Sequence, residues 1–118
     1  MKLIITGKLC DLNTYIAALN RNRYIGAKIK KEETERVYWA CKEQKIKPFK
    51  GKLKEAIFTW IHKDKKKDLD NVEFAQKWIW DGLVMAKVLK NDSQRYTPSI
   101  RSHWHVIENK EGVELELI

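Results

Sequence analysis

KKKDLDNVEFAQKWIWDGLVMAKVLKND, residues 65–92, decides how the rest of the chain is read. Three lysines lead into Asp68 and Asp70, and a helical pattern capped by Asp70 or Asn71 runs to about Ala86. The segment 88–91 then reads as extended and closes on Asp92. This helix lies between β-forming stretches. Upstream, residues 53–62 carry Ile57, Phe58, Thr59, Trp60 and Ile61, which favour a strand. Downstream, 99–108 and 113–118 read as a hairpin with 109–112 as its turn. In 113–118, Val113, Leu115 and Leu117 alternate with Glu114 and Glu116, so one face should be buried and the other wet.

Further upstream, residues 2–8 read as a strand ending near Gly7. Asp11 suits the N-cap of a helix through Asn20, with Leu12, Tyr15, Ile16 and Leu19 at helical spacing. Residues 21–26 look like a break, and a longer helix follows to about Gln44, striped by Ile29, Val37, Tyr38 and Cys41. Pro48 and Gly51 lie beyond its end. The order β-α-α-β-α-β-β predicts one α+β domain over residues 1–118, a small mixed sheet with helices packed on it.

The formal charge is +8, and leaving out the four glutamates and one lysine of 108–118 raises it to +11 for the remainder. A basic body suits a polyanion, because lysine and arginine clusters release counterions from nucleic acid. It also suits a merely solvated lysine-rich surface. A hydrophobic content of 43% with five tryptophans argues against disorder. The opening apolar run is too short for a signal peptide and no stretch is long enough to span a bilayer, which predicts a cytoplasmic protein. Cys10 and Cys41 lack CxxC spacing and are expected reduced and buried.

Asp68 and Asp70 are two residues apart, and in extended chain such side chains point the same way. A 71–86 helix carries the chain about 24 Å out at about 1.5 Å per residue. Six extended residues can bring it about 20 Å back, so Asp92 can reach the pair. Three clustered carboxylates call for a compensating cation, and hard oxygen donors suit Mg²⁺ or Mn²⁺. The plainer reading keeps Asp68 and Asp70 as helix caps and Asp92 as a turn residue.

Taken together, D68-L-D70-N71, K77-x3-D81-G82-L83 and L89-K-N91-D92-S93-Q94 resemble the RusA family of Holliday junction resolvases. The N-terminal G7-x4-L12-N13-x-Y15-I16, with Arg21 and G26-A27-x2-K30-K31, resembles phage and prophage members of that family. The resemblance implies a RusA-like α+β homodimer that resolves four-way DNA junctions by Mg²⁺-dependent paired incisions, with Mn²⁺ a possible substitute. It implies Asp68, Asp70 and Asp92 as metal-binding catalytic residues, Lys77 as a catalytic lysine, and Lys67 as the basic residue preceding the first aspartate. Asn91 stands where the family often has a second acid, so only Asp92 of that pair would ligate, and Lys87 replaces the usual glycine.

Lys63, Lys65, Lys66 and Lys67 are candidate phosphate contacts beside the aspartates. Arg21, Arg23, Lys28, Lys30 and Lys31 form a second DNA-binding candidate that could hold a junction arm. Lys77 could instead pair with Asp81 at i+4. Trp78 and Trp80 cannot share one helix face, so at most one is expected in the monomer core and the other at a dimer interface. His62 is expected at the surface and Trp104 in the core. The rival readings are a metal nuclease for other branched or flap DNA, and a non-catalytic basic DNA-binding protein.

Overall fold

The computed structural model describes residues 1–64, 68–90 and 99–118. The element order is β1 (Lys2–Thr6), α1 (Leu12–Arg21), α2 (Arg23–Glu43), β2 (Ala56–His62), α3 (Leu69–Glu73), α4 (Gln76–Met85), β3 (Ile100–Val106) and β4 (Gly112–Leu117). The four strands form one mixed sheet in the order β1-β4-β2-β3. β4 runs antiparallel to both of its neighbours, and β2 and β3 are parallel. The α+β class with a small mixed sheet is thus the observed one.

The expected hairpin does not form, because β2 lies between β3 and β4. The connection 107–111 does turn, with Lys110 N–H donating to the Ile107 carbonyl at 3.2 Å, but it carries the chain across the end of β2 instead of pairing β3 with β4. Ile107 N–H donates to the His62 carbonyl at 2.8 Å, and Gly7 N–H donates to the Glu111 carbonyl at 2.9 Å, which fastens the connection at both ends. The alternation in β4 did identify its buried face: Val113, Leu115 and Leu117 are buried between Leu3 and Ile5 of β1 and Phe58 and Trp60 of β2. A central strand has the same alternation as a hairpin strand, so the pattern named the face and not the neighbours.

One face of the sheet packs on helices. α4 lies against α2, and its Trp80 reaches Phe58 of the sheet, with Trp78, Ile79, Trp80, Gly82 and Leu83 all buried. Trp78 and Trp80 are therefore both in the monomer core, contrary to the one-face argument. A helix held between two layers has two apolar faces. The Trp78 indole meets Tyr15 and Phe74 edge-on and donates to the Cys10 carbonyl at 2.8 Å. Trp80 turns to Phe58 and donates to Gln76 Oε1 at 3.2 Å.

The helix boundaries also differ from the sequence reading. The break expected over 21–26 is confined to Asn22, which closes α1 through its N–H to the Ala18 carbonyl and caps α2 by accepting the Tyr24 N–H at 2.8 Å. Gly26 lies inside α2, packed on Leu19. The single helix expected to Ala86 is divided into α3 and α4. Lys77 and Trp78 N–H groups reach back three residues, to Phe74 and Ala75, making a tight turn at the junction. Beyond α4, 88–90 is bent, not extended. Lys87 takes the left-handed conformation (φ 60°), and Lys87 and Val88 N–H groups donate to the Val84 and Leu83 carbonyls. These two bonds make a Schellman cap with lysine in the usual glycine position, so the reversal is built without the glycine.

Candidate functional site

The paired aspartates open α3. Asp68 is its N-cap, in extended conformation (φ −74°, ψ 124°), and its side chain makes no capping hydrogen bond. Asp70 is in the first helical turn, and its Oδ1 accepts the Asn71 N–H at 2.9 Å. The two residues therefore do not share an extended stretch, and the i, i+2 argument for a common direction does not apply to them. Both are exposed. Their charges suit a helix N-terminus in any case.

Five residues make a helix too short to stand alone, and contacts from three elements hold α3 in place. Asn71 Oδ1 accepts the Asn13 N–H at 2.8 Å, joining α3 to the start of α1. Glu73 Oε1 accepts from Ser102 Oγ of β3 at 2.9 Å and from Gln76 Nε2 of α4 at 3.0 Å. Phe74 stacks on Tyr15, and Ala75 is buried. Glu73 and Ser102 were not singled out from sequence, where they look like ordinary polar residues with no distinguishing period, and Asn13 entered only as part of the N-terminal resemblance pattern.

Beside α3 a cavity of about 30 Å³ opens at the ends of β1, β2 and β4, lined among others by Asp11, His62, Val72, Ala75 and Glu111. His62 is buried here and not at the surface, while Trp104 is only half-buried. Asp11 caps α1, accepting the Thr14 N–H at 2.9 Å, with Lys8 Nζ 3.0 Å from its carboxylate. Burial raises its pKa, but the Thr14 hydrogen bonds and Lys8 outweigh that and bring it down to about 2. Burial pushes the Cys10 and Cys41 thiols up to about 11, which keeps both protonated and unreactive at neutral pH.

The candidate cations are spread over several surfaces. Lys63 follows β2 and lies 3.6 Å from Glu111. Lys77 of α4 lies 3.5 Å from Asp81, the i+4 pairing. Arg21, Arg23, Lys28, Lys30 and Lys31 are all exposed, at the end of α1 and over the first turns of α2. Lys28 sits 3.8 Å from Glu32, and Arg23 lies over the exposed Tyr24 ring at 5.2 Å. Asp92, Lys65, Lys66 and Lys67 lie outside the described residues. Among the described residues, no three His, Cys, Asp or Glu side chains gather as a metal-holding group. Asp68 and Asp70 contribute oxygen donors only, a set that suits a hard divalent cation and would need further ligands to complete it. No helix among the described residues is long and apolar enough to cross a membrane. Compared with known protein families and with curated proteins, the chain matches no family model and no curated protein.

Proposed function

We propose that this chain is a RusA-like, divalent-metal-dependent endodeoxyribonuclease that resolves four-way DNA junctions in the cytoplasm as a homodimer. The observation that carries the proposal is the N-terminus of α3. Asp68 stands at the N-cap without using its carboxylate to cap, which is not what the plain capping alternative expects. Asp70 is exposed beside it, so two acidic side chains face solvent on a segment fastened to α1, α4 and β3.

In this reading Asp68 and Asp70, with Asp92 as the third carboxylate, hold Mg²⁺, or Mn²⁺ in its place. When bound, such an ion supplies an activated water and stabilises the attacking and leaving oxygens of a phosphodiester. Lys63, Lys65, Lys66 and Lys67 contact phosphates on either side of the cut and carry no sequence information. Lys77 leaves Asp81 to meet charge that develops on the scissile phosphate, where a cation counts for more than in the ground state. Arg21, Arg23, Lys28, Lys30 and Lys31 hold a DNA arm, with binding that weakens steeply as salt rises.

The test is incubation with a synthetic mobile four-way junction and Mg²⁺, with cuts mapped on all four strands. Symmetric cuts in two like strands are expected. Asp70→Asn should abolish cutting while junction binding is kept or improved. Cutting confined to flaps or other branches would move the substrate to the rival nuclease reading. A variant that cuts at the wild-type rate would remove the metal site, and binding with no cutting by the unaltered chain would leave a non-catalytic DNA-binding protein.

A further inference from the structure

The helices pack on one face of the sheet, and the side chains of β3 divide between that face and the other. Ala56, Phe58 and Trp60 of β2 are buried on the helix side, where Phe58 meets Trp80. Ile57, Thr59 and Ile61 alternate to the opposite face. The parallel register sets Arg101, His103 and His105 of β3 beside these three, so both histidines stand on the face turned away from the helices. Arg101, His103 and His105 are all exposed.

The two edges of the sheet also differ. The outer edge of β1 is blocked by Gln44, which accepts the Ile4 N–H at 2.9 Å and donates to the Ile4 carbonyl at 2.6 Å, in the manner of a neighbouring strand. β3 is the other edge and has no such device among the described residues. Its side chains therefore have a neighbouring strand on one side only.

His103 and His105 are two residues apart on a strand, which puts their backbone origins about 6.6 Å apart at about 3.3 Å per residue. Two imidazole nitrogens on one metal ion, each at about 2.0–2.1 Å, lie at most about 4 Å apart. Each ring then has to lean about 1.5 Å along the strand, the direction in which strand side chains already lean. Among the described residues neither imidazole is engaged in a hydrogen bond or an ion pair. The nearest cation on this face, Arg101, is compensated by Glu55 at 3.1 Å, which lessens its repulsion of a metal ion.

We propose that His103 and His105 chelate a borderline divalent transition cation, Cu²⁺, Ni²⁺ or Zn²⁺, at the open edge of the sheet. Imidazole suits these ions, whereas Mg²⁺ prefers hard oxygen donors. Glu114 shares the face but lies across Thr59 from His103, about 10 Å away at about 4.8 Å per strand, beyond the coordination shell. The ion therefore has two protein donors and keeps its remaining positions open to water or to a further ligand. The site is distinct in place and in donor chemistry from Asp68 and Asp70, and it holds whether or not the chain cuts DNA.

The experiment titrates the full chain, without DNA, with CuCl₂, NiCl₂ and ZnCl₂ and follows binding by calorimetry. One equivalent should bind, Cu²⁺ most tightly. Excess Mg²⁺ should not displace it. His103→Ala and His105→Ala should each weaken binding about a hundredfold, because the second imidazole acts at the high effective concentration set by the first. Exchanging two positions, Arg101→His with His105→Arg, moves the pair one step along the same face and should restore affinity to within about tenfold. Circular dichroism should be unchanged in all three variants. Absence of saturable Cu²⁺ binding, single variants that bind as the unaltered chain does, or a folded exchanged variant that stays as weak as the single ones overturns the site. None of these readings involves nuclease activity, so failure here is distinguishable from failure of the cleavage reading.

Discussion

Replacing Gly82 by alanine tests how closely α2 and α4 must approach. In an exposed helix the change gains up to about 1 kcal/mol, from glycine's poor helix propensity. Here an added Cβ would sit 2.5 Å from both Cβ and Cγ1 of Val37 and 3.1 Å from the Thr34 carbonyl oxygen. Carbon atoms in contact prefer about 3.5–4.0 Å, so the contact is short by about an ångström. Val37 is fully buried and β-branched, with essentially one side-chain rotamer in a helix, and Thr34 presents backbone. Neither can step aside, and the strain is relieved by moving the helices apart. That loosens the packing of Cys41, Trp78 and Leu83 in the same core. Overpacking of this kind costs about 1–3 kcal/mol, and the displaced axes put this site at the upper end. The net expectation is a loss of about 2 kcal/mol, or roughly 8 °C in Tm for a chain of this size.

Gly26 supplies the control. A Cβ there would also be too close, 2.3 Å from Leu19 Cδ2, but that atom is the end of a flexible side chain that is 41% exposed. Gly26→Ala should therefore be neutral or mildly stabilising. Urea unfolding followed by tryptophan fluorescence, with the slope unchanged, measures both variants. Val37→Ala should recover part of the Gly82→Ala loss, a coupling of at least about 0.5 kcal/mol in a double-mutant cycle. If Gly82→Ala is as stable as the unaltered chain, or if the two glycines respond alike, the close-approach argument is wrong.

Two further outcomes follow from local geometry. Lys87→Gly should stabilise by about 0.5–1 kcal/mol in the same assay, because a left-handed lysine costs more than glycine's extra chain entropy; a loss of stability would mean that the lysine side chain contributes something the cap geometry does not show. Asp11→Asn should cost about 2 kcal/mol at neutral pH, since the carboxyl is held near 2 against an ordinary 3.8. A lowered folded-state pKa gives stability that is complete above the unfolded value, so the difference between the two chains should be flat above about pH 5 and shrink as pH falls from about 4 towards 2. Unfolding measured at several pH values checks this, and a difference that grows in acid would refute it.

How much of this was legible depended on whether the signal was local. β4 announced its buried face through strict alternation, and Asp11 and the α2 stripe marked helices, because those patterns need only neighbouring residues. The position of β4 between β1 and β2 depends on what the strand meets, and nothing in 107–112 says that the connection passes over the end of β2. Trp78 and Trp80 misled for a related reason: opposite faces of a helix exclude each other from the core only if the helix has one covered side. The split between α3 and α4 has no proline or glycine at 74–75 to announce it, and the turn coincides with Glu73 being fastened to β3. At the candidate site the sequence marked Asp68 and Asp70 as residues at the start of a helix, but it put the cap at Asp70 or Asn71, whereas the cap is Asp68. The blocking of β1 by Gln44 was invisible, since a glutamine just past a helix looks like any polar cap residue.

The way α3 is held bears on how its aspartates could work. A helix of one and a half turns has too few internal hydrogen bonds to offset the cost of starting it, so its position must come from tertiary contacts. Those contacts reach it from α1 through Asn71, from β3 and α4 through Glu73, and from the core through Phe74 and Ala75. They fix the body of the segment and leave its first residues facing solvent. The N-terminal end is where helix amides favour negative charge, which offsets part of the repulsion between Asp70 and Asp68. A pair of carboxylates tied by side-chain hydrogen bonds, with no ion pair among the contacts named, keeps its geometry across changes of salt that would loosen an ion-paired support. In the proposed nuclease this separates two salt dependences: DNA affinity should fall with salt, whereas the placement of the aspartates should not.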